Sequence, residues 1–145
     1  MDPKLKEAIR GSLANVFSQF FEVTSDFVFE ETQQDLAASQ RCAAMNIEGT
    51  FRGRLFLLTS SSLCGKLINS LFPGEIPSEE LEWDVVGELL NMVGEGTRTL
   101  VNQEGGQQSI GVPDKMAPPT PDALEKEDVL VVSEMGESIS VWLTD

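Results

Sequence analysis

The chain has 145 residues, 41% of them hydrophobic, and a formal net charge of −14. That length suits a single domain over residues 1–145 with an ordinary core, and the acidity argues against nucleic acid or an anionic membrane as partner, since both are held by clustered Lys and Arg. Histidine is absent, which excludes Ser-His-Asp and Cys-His catalysis and histidine-based metal sites.

Asp2-Pro3 is a helix start, an N-cap followed by Pro at the first helical position. Leu5, Ile9, Leu13, Val16, Phe17 and Phe20 follow at helical spacing, so the pattern predicts a helix over about residues 3–21. Residues 22–39 are ambiguous, with a possible short strand at Phe27-Val28-Phe29. Residues 41–59 read as a β-hairpin across Glu48-Gly49-Thr50, and its apolar second strand is expected to be buried on both faces near its end.

One of Ser60, Ser61 or Ser62 caps a short helix reaching about Leu71, with Leu63, Leu67, Ile68 and Leu71 inward and Phe72-Pro73-Gly74 as its stop. Ser78-Glu79-Glu80-Leu81 then opens a long helix, its acidic first turn matched to the macrodipole. The helix runs to about Gln103. Ser109–Pro113 predicts a short strand stopped by Pro113, and Ala117–Pro121 a surface loop. Val129–Ser133 and Ser138–Leu143 predict a final hairpin across Glu134–Glu137. The order is that of an α+β fold, a mostly antiparallel sheet packed against helices including one long helix.

No run approaches the roughly 18 apolar residues of a membrane span. The charged Met1–Glu7 is unlike a signal peptide. A cytoplasmic protein is therefore expected, with Cys42 and Cys64 as small core residues of a reducing compartment. Trp83 and Trp142 read as core or half-buried anchors, Trp142 with a smaller chance of lying at a subunit contact. Arg52 and Arg54 share one side of a strand and read as solvated charges. Ser62 and Lys66 miss the Ser-x-x-Lys spacing of a catalytic dyad. Gly94-Glu95-Gly96 does not join a strand to a helix start, so it is no phosphate loop.

The long helix carries the pattern with most chemical content. Val85, Val86, Leu89, Leu90 and Val93 form its apolar side. Asp84, Glu88, Asn91 and Glu95, spaced four, three and four apart, form a polar stripe opposite, with Gly87 and Gly94 beside it. Each mid-helix glycine costs about 1 kcal/mol relative to Ala. By spacing alone the stripe is the solvated face of an amphipathic helix; the glycines suggest a close approach to the backbone.

Asp84-x-x-x-Glu88-x-x-Asn91, with Pro113 beyond the helix, resembles the signature of the CheC/CheX chemotaxis phosphatases. The hairpin segment Ile47-x-Gly49-x-x-x-Gly53-x-Leu55 is similar to that family's I-x-G-x-x-x-G-x-L segment, and the order of elements agrees over about residues 40–143. A single Glu-x-x-Asn makes the chain CheX-like. The resemblance implies a hydrolase that dephosphorylates a phosphorylated CheY-like receiver, in which Mg²⁺ sits on the partner receiver and this chain has no cofactor of its own. It implies that Glu88 pairs with a receiver lysine and that Asn91 holds the attacking water. Asp84 and Pro113 take supporting roles, Gly87 and Gly94 give clearance, and a homodimer is implied. Glu95 stands where the family often has a small residue, and it adds negative charge beside the site.

A second hypothesis is a non-catalytic CheX-like module that binds a receiver or a flagellar-switch component, with Glu88 and Asn91 merely exposed. A third, a metal-dependent hydrolase built on the many carboxylates, has no ligand constellation in the sequence. The first two require Glu88 and Asn91 side by side on an accessible helix face.

Overall fold

The computed structural model describes residues 1–20, 28–30, 40–134 and 137–145. Among them the order is α1 (Pro3–Phe20), β1 (Val28–Glu30), β2 (Gln40–Gly49), β3 (Gly53–Ser60), α2 (Ser61–Leu71), α3 (Glu79–Gln103), β4 (Gln108–Ile110), β5 (Asp114–Met116), α4 (Pro121–Glu125), β6 (Leu130–Glu134) and β7 (Glu137–Thr144). The fold is α+β. Every strand pairing is antiparallel, in the order β1-β6-β7-β3-β2-β4, with β5 also on β2.

Capping fixes the helix starts. The Asp2 carboxylate accepts from Lys4 N at 2.8 Å, Ser60 Oγ from Leu63 N at 3.0 Å and Ser78 Oγ from Leu81 N at 3.1 Å. Each bond satisfies an amide that the helix cannot. The β2–β3 turn depends on glycine: Gly49 has φ +112° and Gly53 φ +149°. A side chain on Gly49 would collide with the Gln107 carbonyl, and one on Gly53 with the Thr144 carbonyl. Those are the two glycines of the hairpin segment, and their requirement is local and steric.

Strand alternation sorts the core into two layers. Ala43, Met45, Ile47, Leu55, Leu57, Val132, Ile139 and Val141 face α1, α2 and α3. Cys42, Leu58, Val131 and Trp142 face the other way, where Leu124 of α4 covers them. Trp142 is stacked on Phe56, ring centroids 5.2 Å apart, and is 3% exposed; it is a core anchor of this second layer. Both cysteines are buried and unpaired, and burial pushes their thiols up to about 12. Helices α1 and α3 meet closely, Ser12 Oγ and Thr97 Oγ1 each donating to the Val93 carbonyl at 2.7 Å.

Several expected boundaries move. The strand expected over Ser109–Pro113 ends at Ile110, and Pro113 instead immediately precedes β5. The Ala117–Pro121 loop ends in a short helix, where Thr120 caps Ala123 N at 3.2 Å and Pro121 takes an early helical position. Most of the ambiguous 22–39 segment lies outside the described residues, as do Phe27 and the turn residues 135 and 136; Val28–Glu30 pairs with β6. Lys66 Nζ meets Glu137 Oε1 at 2.6 Å. No described helix is long and apolar enough to cross a membrane.

Candidate functional site

The geometry begins with how α3 sits on the sheet. Its apolar arc, Val85, Val86, Leu89, Leu90 and Val93, is fully buried. That fixes the rotation of the helix and turns the opposite arc outward: Asp84, Glu88 and Glu95 are exposed and Asn91 is half-buried. After α3 the chain returns along β2 as β4 and β5. The link between them crosses in front of α3, leaving an open groove of about 980 Å³. Asp84, Gly87, Glu88 and Asn91 line it from the helix, and residues 111–115 from the returning chain.

The link is firmly held. Gly111 N donates to the Asn46 carbonyl at 2.8 Å. A Cβ on Gly111 would stand 3.1 Å from that same oxygen. Asp114, Lys115 and Met116 are in register with Ala44, Ala43 and Cys42. Pro113 is thereby placed across from Gly87, whose added Cβ would lie 3.9 Å from the proline Cβ.

The expected site residues are therefore mostly together: Asp84, Gly87, Glu88, Asn91 and Pro113 line one groove. Gly94 is not with them. It is buried, and a Cβ there would lie 2.7 Å from Met45 Sδ and 3.3 Å from Ile110 Cδ1. Its clearance serves the helix-to-sheet contact inside the molecule, which corrects the sequence expectation. The reason is position along the helix: Gly94 lies about two turns beyond Gly87 on nearly the same face, where Met45 of β2 and Ile110 of β4 pack against α3 instead of Pro113. Among the described residues, no hydrogen bond or ion pair ties down the side chains of Glu88 and Asn91.

The groove is acidic. Glu79, Glu80, Asp84, Glu88 and Asp114 line it, against Lys115. The Lys115 ammonium lies 4.5 Å from the centroid of the half-buried Trp83 ring, and the Arg41 guanidinium lies 5.2 Å from it. Arg41 also reaches Glu82 at 3.3 Å, and Arg54 reaches Asp114 at 3.6 Å. Arg54 is thus paired, not simply solvated. Glu95 accepts two bonds from Arg98, at 3.1 and 2.5 Å, so its charge has a counterion one helical turn away. Lys115, Asp114 and the exposed Val112 went unrecognised in the sequence because only folding brings them opposite α3; Trp83, read as an anchor, is also a groove wall.

Chemically, the groove offers a carboxylate and a neutral amide one helical turn apart on an accessible face. Among the described residues that line it, none carries a hydroxyl or thiol nucleophile. Among the described residues, no group of three or more His, Cys, Asp or Glu side chains could hold a metal ion. Such a surface can position a partner's reacting groups and a water better than it can run covalent chemistry alone.

No family model and no curated protein sequence matches the chain. Solved structures do. A CheC-like superfamily protein from Shewanella sp. PV-4 is 20% identical, with each chain covered over 100% and a TM-score of 0.67. The chemotaxis protein CheX from Vibrio vulnificus is 16% identical over 99% of this chain and 98% of its own, TM-score 0.71. The structure of a CheX–CheY–BeF3–Mg²⁺ complex from Borrelia burgdorferi matches at 13% identity over 95% of each chain, TM-score 0.65. The chain therefore has the fold of the CheC-like and CheX chemotaxis proteins.

Proposed function

We propose that this protein is a CheX-like phosphatase that accelerates loss of the phosphoryl group from the aspartate of a phosphorylated, CheY-like receiver. The observation that carries this is the placing of Glu88 and Asn91 in one open groove, one turn apart on the outward arc of α3. The solved complex of a CheX with a CheY, beryllofluoride and Mg²⁺ supports the choice of partner, since this chain has the same fold.

Hydrolysis of an acyl phosphate makes a P–O bond from water, breaks the bond to the aspartate carboxylate and releases inorganic phosphate. Its demands are positioning and charge stabilisation. A neutral amide does not take the water's proton at pH 7, but its carbonyl oxygen accepts from the water and its NH₂ donates, so Asn91 fixes the nucleophile in line. Glu88 anchors the helix by pairing with a receiver lysine. Asp84 and Pro113 shape the groove walls, and Gly87 lets the receiver's loop approach the helix. The receiver's own Mg²⁺ supplies the charge neutralisation on the phosphoryl oxygens. The groove's carboxylates need that cation and the receiver's lysine as counter-charges, and Arg98 already offsets Glu95.

The test is a panel of purified receivers phosphorylated with a small-molecule donor, their phosphate followed with and without this protein. Accelerated loss from at least one receiver is the expected outcome. Binding without acceleration would assign the protein to the non-catalytic module instead. Neither binding nor acceleration across the panel would overturn both.

A further inference from the structure

We infer that Val112 is the apolar docking knob with which this chain engages its receiver. This rests on the receiver-directed function proposed above. Among the described residues, the large hydrophobics standing exposed are Ile76, 85% exposed, and Val112, 80% exposed; of these, Val112 lines the groove that holds Glu88 and Asn91.

An exposed aliphatic side chain is ordinary; a rigid one beside a site is not. Val112 is held from both sides. Before it, Gly111 N is bonded to the Asn46 carbonyl at 2.8 Å. After it, Pro113 has a fixed φ and Asp114 begins the pairing with β2 at Ala44. The valine side chain has few rotamers to lose. A partner that buries it therefore gains apolar contact at small entropic cost.

The surroundings identify the occupant. The carboxylates of Glu79, Glu80, Asp84, Glu88 and Asp114 share the groove with Val112. They select a face carrying lysine or arginine around an apolar depression, and they disfavour an acidic or purely apolar one. Val112 also continues the surface on which Glu88 and Asn91 would meet the receiver, so one protein partner covers all three. Val112 touches no reacting group; it positions the receiver.

The test compares wild type, Val112→Asp and Val112→Ile on one receiver whose phosphate loss the wild type accelerates. Binding is read with the beryllofluoride-activated receiver, and turnover across receiver concentration. Val112→Asp is expected to raise Kd and KM about tenfold or more, as for a central apolar contact, with little change at saturation. Val112→Ile is expected to keep near wild-type values. Unchanged Kd and KM in Val112→Asp, with wild-type acceleration intact, would overturn the knob and leave the phosphatase standing. Failure of the wild type to bind or accelerate any receiver overturns both. Circular dichroism melting checks that the exposed substitution leaves the fold alone.

Discussion

Pro113 faces Gly87 across the groove, and a Cβ added to Gly87 would stop 3.9 Å from the proline Cβ. That is ordinary contact, so alanine fits. Gly87→Ala should raise stability by up to about 1 kcal/mol through helix propensity while narrowing the groove. The expected result is a higher denaturation midpoint with slower receiver dephosphorylation. Gly96→Ala should do the opposite to stability: its methyl would run into Ser12 Oγ and Cβ at the α1–α3 contact, costing about 1–3 kcal/mol. Urea denaturation of the two variants side by side checks both signs.

Glu137 ties the start of α2 to β7. Ser60, Ser62 and Lys66 reach its carboxylate at 3.0, 3.1 and 2.6 Å. Burial alone would raise its pKa, but the bonds from Lys66, Ser60 and Ser62 outweigh that and hold it below the usual glutamate value. A depressed folded pKa stabilises the protein above the unfolded value, and that contribution is lost as pH falls through the folded one. Glu137→Gln should therefore lower stability by about 1–2 kcal/mol near neutral pH, and the gap to wild type should close in acid. A gap constant over the whole pH range would contradict the network.

Much of this was legible in the sequence. Asp2-Pro3 and Ser78-Glu79-Glu80 announce α1 and α3 because capping is a local event, and the five apolar residues from Val85 to Val93 fix which side of α3 faces out. That rotation turns Glu88 and Asn91 outward, but what singles them out from the rest of the polar stripe is the resemblance to the CheC/CheX signature. The rest depends on distance in space. Asp114-Lys115-Met116 is too short to show a strand period and owes its pairing to β2. Thr120-Pro121-Asp122 did contain a helix start of the same kind as Asp2-Pro3, hidden by the surrounding prolines. Gly94 has no side chain to reveal a face, and seven residues from Gly87 it shares nearly the same side of the helix; only the packing of Met45 and Ile110 against it separates the two.

Glu88 is assigned a charged partner, so its contribution should be sensitive to salt. Wild-type affinity for the activated receiver is expected to weaken as ionic strength rises, since exposed ion pairs are screened over about 10 Å at 0.1 M salt. Glu88→Gln should bind more weakly at low salt and show a shallower salt slope. Parallel slopes for the two proteins would mean that Glu88 meets no cation on the receiver.

The role of Asn91 can be separated from binding. With the beryllofluoride-activated receiver, Asn91→Ala should retain affinity close to wild type, because Glu88 and the remaining groove are intact. Under single turnover with saturating protein, the phosphorylated receiver should lose its phosphate about 100-fold or more slowly with Asn91→Ala than with wild type, approaching its unassisted decay. Wild-type decay rates in the folded, binding-competent Asn91→Ala variant would contradict the water-positioning role at the centre of this account.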